Sequence, residues 1–526
     1  MSTLISDTPE WKSLQEHAKS SFTLRDLMKD PARCEAMLHN FGKTYLDFSR
    51  ELMTQETLCL LSALAEKADV FGKISSMLKG ERINSTEDRA VRHVDLRASP
   101  APPEVEHVRN QIKNFSTAVR DGTLRGAHGE LLTDVVCIGI GGSYLGAEFV
   151  YEALRTKPIN QQPSHQRRLR FLANVDPIDV ARALEGLNPK STLVVVVSKT
   201  FTTAETMLNA RTVRDWLVKG VGETSVAKHM VAVSTALDKT RAFGIPDENV
   251  FGFWEWVGGR FSVSSAVGLL PLSLQFGYDV CEEFLRGARD MDIHFSNAGR
   301  DDVWNNLPVA LALISVWNHS FLGFASCAVL PYCQALNRFV PYLQQVDMES
   351  NGKRVSISGQ NIPFDTAPAT FGEPGTNGQH SFYQLLHQGT RIIPAEFIGF
   401  VKSDFDIHND KVSNHDELMS NFFAQPDALA LGLDNFDNLH KHFPGNRPSL
   451  SLLLPKCDPY HVGQLLALYE HKTAVQSFIW GTNAFDQWGV ELGKILAKEV
   501  RGYLSSGQNI DKFAISTQKL LEIYKQ

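Results

Sequence analysis

The run Leu193-Val194-Val195-Val196-Val197 constrains the fold of this chain more than any other feature. Consecutive aliphatic, mostly β-branched residues make a strand with no polar side, so both of its faces must be covered. Such strands lie inside parallel sheets, between layers of helix. The surroundings agree. Asp134 to Gly139 is a short apolar strand, followed by the turn Gly141-Gly142-Ser143 and a helix from Tyr144. Leu169 to Ala173 is another strand, and Asp176-Pro177 opens a helix with Asp as N-cap and Pro in the first turn. After the valine run, Met207, Ala210, Val213 and Leu217 form one helical stripe that stops at Gly220. His229 to Val233 is a further strand. Strict alternation of strand and helix specifies a parallel sheet with helices on both faces.

A second unit of the same kind follows. Leu307 to Cys333 reads as a buried helix and then a buried strand, broken by Asn318-His319-Ser320. Neither half reaches the roughly 20 residues that a membrane span needs. A helix ending at Asn351-Gly352 comes next, then strands at Ala395 to Val401 and Leu450 to Leu454. Asn414 is read as the cap of a helix, with Glu417 at its third position. Asp458-Pro459 repeats the N-cap and proline device, and Phe485 to Val500 reads as a helix. The expected class is α/β: two doubly wound αβα sandwiches with a helical N-terminal layer and a helical C-terminal tail. The expected domains are residues 1–120, a helical segment packing on the large domain; 121–290, the first and smaller sandwich; and 291–526, the larger one with the tail.

Bulk properties narrow the function. A formal charge of -7 gives no general affinity for nucleic acid, so an anionic ligand must be held by local positive groups. The seven cysteines are scattered without CxxC spacing, which points to reduced thiols in a cytosol-like compartment rather than a metal site. Met1 to Gln15 is polar and mixed in charge, unlike a signal peptide.

Candidate chemistry gathers at a few turns. In open parallel sheets, ligands bind beyond the carboxyl ends of strands. Two glycine- and hydroxyl-rich turns fall there. Ile138-Gly139-Ile140-Gly141-Gly142-Ser143 offers backbone amides at a helix start. It lacks the GxGxxG spacing, and no acidic residue closes the next strand, so a dinucleotide is disfavoured. Ser198-Lys199-Thr200-Phe201-Thr202-Thr203 follows the valine strand and precedes a helix. Capping explains one or two of its hydroxyls but not four, and with the lysine they make a phosphate cradle. Gly258-Gly259-Arg260 presents an arginine from a tight turn, where it can approach a ligand closely.

Three more stretches carry acid–base groups. Gln345 and Glu349 sit four apart near the end of a helix, on one face. The helix dipole there opposes a negative charge, which suits a carboxylate that must take up a proton. A turn-rich loop, Gly372 to Gln379, delivers His380, with His387 as a lesser candidate. In Phe485 to Lys494, Gln487, Glu491 and Lys494 fall on one face if the segment is a helix.

Taken together, these stretches resemble the glucose-6-phosphate isomerase (phosphoglucose isomerase) family. The resemblance rests on Gly-Ile-Gly-Gly-Ser, Ser-Lys-Thr-Phe-Thr-Thr, Val-Gly-Gly-Arg-Phe-Ser, Asp-Met-Glu-Ser-Asn-Gly-Lys, Gly-Glu-Pro-Gly-Thr-Asn-Gly-Gln-His and Phe-Asp-Gln-Trp-Gly-Val-Glu-Leu-Gly-Lys, in that order. It extends over most of the chain and implies two sugar-isomerase domains. It also implies a cytoplasmic enzyme that interconverts D-glucose 6-phosphate and D-fructose 6-phosphate in glycolysis and gluconeogenesis. By the same resemblance, Glu349 moves a proton between the first two carbons through a cis-enediol. His380 and Lys494 assist ring opening, and Arg260 stabilises the enediolate. Gly142, Ser143, Ser198, Lys199, Thr200, Thr203 and Gly259 would bind the substrate and its phosphate, and Gln345 and Gln487 would position it. The family is a homodimer in which the equivalent of His380 enters the neighbour's site, and it uses no metal or organic cofactor. Neither nucleic acid nor membrane is expected as a partner. Two departures stand out: Tyr144 after the Gly-Gly-Ser turn, and Cys333 where the family has an acidic residue. A non-catalytic sugar-phosphate sensor could share the cradle, but it would not need Glu349, His380, Arg260 and Lys494 together.

Overall fold

A computed structural model describes residues 3–157, 167–405, 407–408 and 411–526. The chain forms two compact units, 1–484 and 485–526. The larger unit holds eleven strands among its described residues: β1 (Leu38–Phe41), β2 (Thr44–Asp47), β3 (Asp134–Ile138), β4 (Arg168–Leu172), β5 (Thr192–Val197), β6 (Met230–Val233), β7 (Val250–Phe251), β8 (Ser326–Pro331), β9 (Ala369–Phe371), β10 (Ala395–Lys402) and β11 (Ser449–Lys456).

β3 to β7 make a parallel sheet in the order β4-β3-β5-β6-β7. The valine run lies in β5, in the middle of that sheet, with every residue of the strand buried. Burying a side chain of this size stabilises by about 1.5–3 kcal/mol, which explains why the strand tolerates no polar face. The stripe Met207, Ala210, Val213 and Leu217 of the helix Ala204–Val221 packs against it in one core cluster. Asp176 caps its helix as expected, accepting from the Ile178 amide at 2.9 Å.

The second sheet runs β1-β2-β11-β10-β8-β9. β9, β8, β10 and β11 are parallel and wound as in the first sheet. β2 adds antiparallel to β11, and β1 to β2. The N-terminal region is therefore not wholly helical: its β1–β2 hairpin extends the second sheet. A second correction concerns the helix Asn414–Leu431. Ser413, not Asn414, is its N-cap, accepting from the Asp416 amide at 2.9 Å.

The helix Pro459–Trp480 is buried along nearly its whole length. Gly463 lets it approach the helix Tyr278–Asn297, since a Cβ there would stand 2.0 Å from the Phe284 carbonyl oxygen. Its charged residues are paired, as buried charges must be. Glu470 accepts from Arg97 at 2.6 Å, and Arg97 also forks onto Asp292 at 2.6 and 2.7 Å. Lys472 donates to Glu396 of β10 at 2.6 Å. Removing Arg97 would leave the buried Glu470 without its cation, at a cost of roughly 3–5 kcal/mol.

The smaller unit contains the helices Glu491–Ser506 and Ile515–Tyr524. Its first helix starts at Glu491, so Gln487 precedes it and does not share its face with Lys494. Among the described residues, no helix is long and apolar enough to cross a membrane.

Candidate active site

Adjacent strands β3 and β5 send their following helices to opposite faces of the first sheet, which opens a crevice at their carboxyl ends. Both glycine- and hydroxyl-rich turns open onto it. The residues Gly141–Ser143 form a short 3-10 turn after β3. Gly142 must be glycine: a Cβ there would lie 2.2 Å from the carbonyl carbon of Gly259 and 2.7 Å from the amide nitrogen of Arg260. The two glycine turns thus meet backbone to backbone, and Ser262 fastens them by donating to Gly142 and Gly259 carbonyls at 3.3 and 2.7 Å.

The cradle after β5 keeps its polar groups available. Thr203 precedes the helix Ala204–Val221 without capping it through its side chain. The buried Ser198 hydroxyl has no hydrogen-bond partner among the described residues, a costly state unless something else binds there. Thr200 and Thr202 hydroxyls share a 2.7 Å hydrogen bond. Lys199 reaches the Glu255 and Val257 carbonyls at 3.3 Å each, and the exposed Glu255 carboxylate at 3.5 Å. Burial draws its ammonium below the usual lysine range, partly offset by Glu255. Gly142 and Ser143 follow β3, and Ser198, Lys199, Thr200 and Thr203 follow the adjacent strand β5.

Opposite this crevice stands the helical segment Phe339–Asn351. It follows β8 and runs antiparallel to it, so its end lies at the amino edge of the second sheet. Residues Gln344–Glu349 form a π-helical turn, a feature often found at functional sites. Gln345 donates to the Glu349 carboxylate at 3.0 Å, and Arg260 approaches the same oxygen at 3.3 Å. The arginine is fully enclosed and the Glu349 side chain is 23% exposed, so the carboxylate faces outward from a buried cation. Arg260 is held from behind: its Nε donates to Ser350 at 2.6 Å and its Nη2 to the Ala484 carbonyl. Lys353 donates to the carbonyls of Glu349 and Ser350, which satisfies the helix end. A carboxylate beside a fixed guanidinium can exchange a proton with a bound molecule while charge develops nearby.

The sequence profile of the phosphoglucose isomerase family matches residues 47–521. The chain belongs to the phosphoglucose isomerase family. It is 55% identical to the cytosolic glucose-6-phosphate isomerase of Arabidopsis thaliana, over 99% of this chain and 97% of that protein. It is 54% identical to the cytosolic enzyme of Spinacia oleracea, over 100% and 97%. The crystal structure of a glucose-6-phosphate isomerase from Chlamydia trachomatis superposes with a TM-score of 0.88 at 34% identity, covering 99% of both chains.

Not every residue expected from the phosphoglucose isomerase resemblance converges on Glu349 within this chain. His380 closes a short 3-10 turn and is exposed, and the hydrogen-bond partners of Glu349 are Arg260, Gln345 and Lys353. His387 is occupied structurally, sharing a 3.0 Å hydrogen bond with Gln425. Gln487 and Lys494 belong to the smaller unit, where Lys494 pairs with Glu491 at 2.7 Å. Among the described residues, no group of His, Cys, Asp or Glu has the arrangement of a metal site. The sequence reading missed Ser262, Ser350 and Lys353. The last two stand in the Asp-Met-Glu-Ser-Asn-Gly-Lys motif, where sequence alone assigns them no role of their own. Of the two departures, Tyr144 accepts from Arg338 at 2.9 Å, just ahead of the Glu349 helix. It therefore joins the turn after β3 to the start of the helical segment that carries Glu349.

Proposed function

We propose that Glu349 is the base in the reversible isomerisation of D-glucose 6-phosphate and D-fructose 6-phosphate. The chain is a cytosolic aldose–ketose isomerase of glycolysis and gluconeogenesis. The observation that carries the residue assignment is the pairing of a partly exposed Glu349 with an enclosed Arg260 anchored on Ser350 and the Ala484 carbonyl.

The phosphate enters the cradle of Ser143, Ser198, Lys199, Thr200 and Thr203, where hydroxyls, helix-start amides and one ammonium meet it. Gly142 and Gly259 let the sugar lie against the backbone, and Gln345 and Gln487 fix its hydroxyls. His380 and Lys494 open the ring. Glu349 then takes the proton from the second carbon. The C–H electron pair becomes the new carbon–carbon double bond, and the carbonyl oxygen takes up the negative charge. Arg260, held by Ser350 and the Ala484 carbonyl, stabilises that charge with its guanidinium. The hydroxyl proton on the oxygen of the second carbon then passes to the oxygen of the first, and as the second oxygen forms the new carbonyl the first carbon takes back the proton from Glu349, which completes the transfer. The working unit is a homodimer in which His380 serves the neighbour's site, a reading that suits its exposure.

Two assays test this. Isomerisation should depend on the phosphate, with free glucose a far poorer substrate than its 6-phosphate; similar Michaelis constants would remove the cradle assignment. Inactive Glu349→Gln and His380→Leu chains should regain activity when mixed and re-assembled, because the hybrid contains one intact site. Verified hybrids without activity would mean that each site is built from a single chain.

A further inference from the structure

Glu349 and Arg260 lie far apart in the chain, so their 3.3 Å separation is set by whatever ties their two segments together. On the arginine side, one tie is the bond from its Nη2 to the Ala484 carbonyl. Ala484 belongs to the turn that follows the helix Pro459–Trp480, just past the left-handed Gly481. On the Glu349 side, the tie to that same turn is Lys353. Its Nζ donates to the Glu349 carbonyl at 3.1 Å, the Ser350 carbonyl at 2.9 Å and the Asn483 carbonyl at 2.9 Å. An ammonium carries three donors, and here three carbonyls from two segments converge on it.

These bonds close a ring. It runs from the Glu349 carboxylate to Arg260, on to Ala484, one residue back to Asn483, and through Lys353 to the Glu349 backbone. In a closed ring no link can lengthen unless another gives, so the spacing of base and cation is held from both sides. The Asn483 corner is itself fixed. Asn483 is buried, and its side-chain amide donates to the side chains of Asn84 at 2.9 Å and Thr86 at 2.7 Å. The cradle residues follow β3 and β5 and are not links of this ring.

We infer that Lys353 is a positioning residue for the isomerisation, one that sets the Glu349 carboxylate against Arg260 by gripping the carbonyl next to the arginine's own anchor. The inference rests on the reading of Glu349 as the base. It gives Lys353 neither a contact with substrate nor a proton to move. What matters is the convergence of its three donors rather than its charge alone. An arginine there keeps the charge, but its planar fork cannot gather three carbonyls around one nitrogen.

The test is steady-state kinetics of Lys353→Met and Lys353→Arg, with calorimetry of fructose 6-phosphate binding. In Lys353→Met, turnover should fall by roughly ten- to a hundredfold, as expected when reacting groups shift by up to about 1 Å. The Michaelis constant and the binding constant should stay within about threefold, because the cradle is outside the ring. Lys353→Arg should remain at least about fivefold below normal turnover. Added to Arg260→Lys, which already opens the ring, Lys353→Met should cost no more than about a further threefold. Normal turnover in Lys353→Arg would overturn the proposal, since charge alone would then suffice. So would a rise in the Michaelis constant alone, or a full independent loss in the double variant. Normal turnover in Lys353→Met beside an inactive Glu349→Gln would overturn this inference and leave the base in place, whereas an active Glu349→Gln would remove both.

Discussion

The β3–β5 crevice and the β8–β10 crevice occupy equivalent places in two sheets that share one winding, β4-β3-β5-β6 and β9-β8-β10-β11. They are furnished differently. The first has glycine turns in backbone contact, a buried hydroxyl without a partner, and a lysine held mainly by carbonyls. The second is walled by larger side chains and closed by ion pairs, with Lys157 and Lys456 both on Asp404. The first also faces the amino edge of the other sheet, which supplies Glu349, whereas the second faces away from it. Winding makes the crevice in each case; local residues decide whether it accepts a phosphate.

Substitutions in the two places should therefore have unequal consequences. The largest effect is expected from Gly142→Ala. The added Cβ would fall within 2.2 Å of the Gly259 carbonyl carbon, so the two turns must part. Displacing the reacting groups by about 1 Å costs on the order of a hundredfold in rate. Steady-state kinetics beside a thermal melt would separate this loss from unfolding, and near-normal turnover would show that the close approach is dispensable. Arg260→Lys comes next. It keeps the charge but loses the planar fork that Ser350 and Ala484 anchor. Turnover should fall by roughly a hundredfold, as for loss of an oxyanion donor, with a smaller change in the Michaelis constant. A rise in the Michaelis constant alone would make Arg260 a binding residue.

Lys199→Ala should act mainly on binding. Losing a charge-assisted hydrogen bond of about 1.5–3 kcal/mol raises the Michaelis constant by roughly ten- to a hundredfold. Lys402→Ala, in the wall of the second crevice, should leave that constant unchanged. The smallest effect is expected from Cys333→Ser under reducing conditions. Activity should stay within about twofold of normal, since the change is conservative and distant from Glu349. A tenfold loss there would mean that the second crevice serves catalysis directly.

Much of this contrast is legible in the chain. The apolar β5 and the Asp-Pro helix starts at Asp176 and Asp458 announce their elements, because burial and capping are local demands. The hairpin β1–β2 is not announced: it is short, with Leu38 and Tyr45 exposed, and only the left-handed Gly42 marks its turn. The π turn at Gln344–Glu349 is invisible for another reason. One extra residue in a turn barely disturbs the apolar spacing of Leu343 and Val346. In the tail, Gly489 between Gln487 and Glu491 was the signal that the helix starts later than its periodicity suggests. The motif residues of the first crevice could be singled out because they cluster in sequence. Ser262 and Ser350 were passed over because their roles exist only once two distant turns meet.

The central claim is that Glu349 carries the proton. The direct test is turnover of Glu349→Gln protein that calorimetry shows still binds a sugar phosphate. Gln is nearly isosteric, so the hydrogen bond to Gln345 and the packing against Arg260 should survive in outline. Removal of a general base costs roughly a hundred- to ten-thousandfold, and turnover is expected to fall on the order of a thousandfold. Turnover above roughly a tenth of normal in binding-competent protein would contradict the account, because loss of a general base costs far more than that.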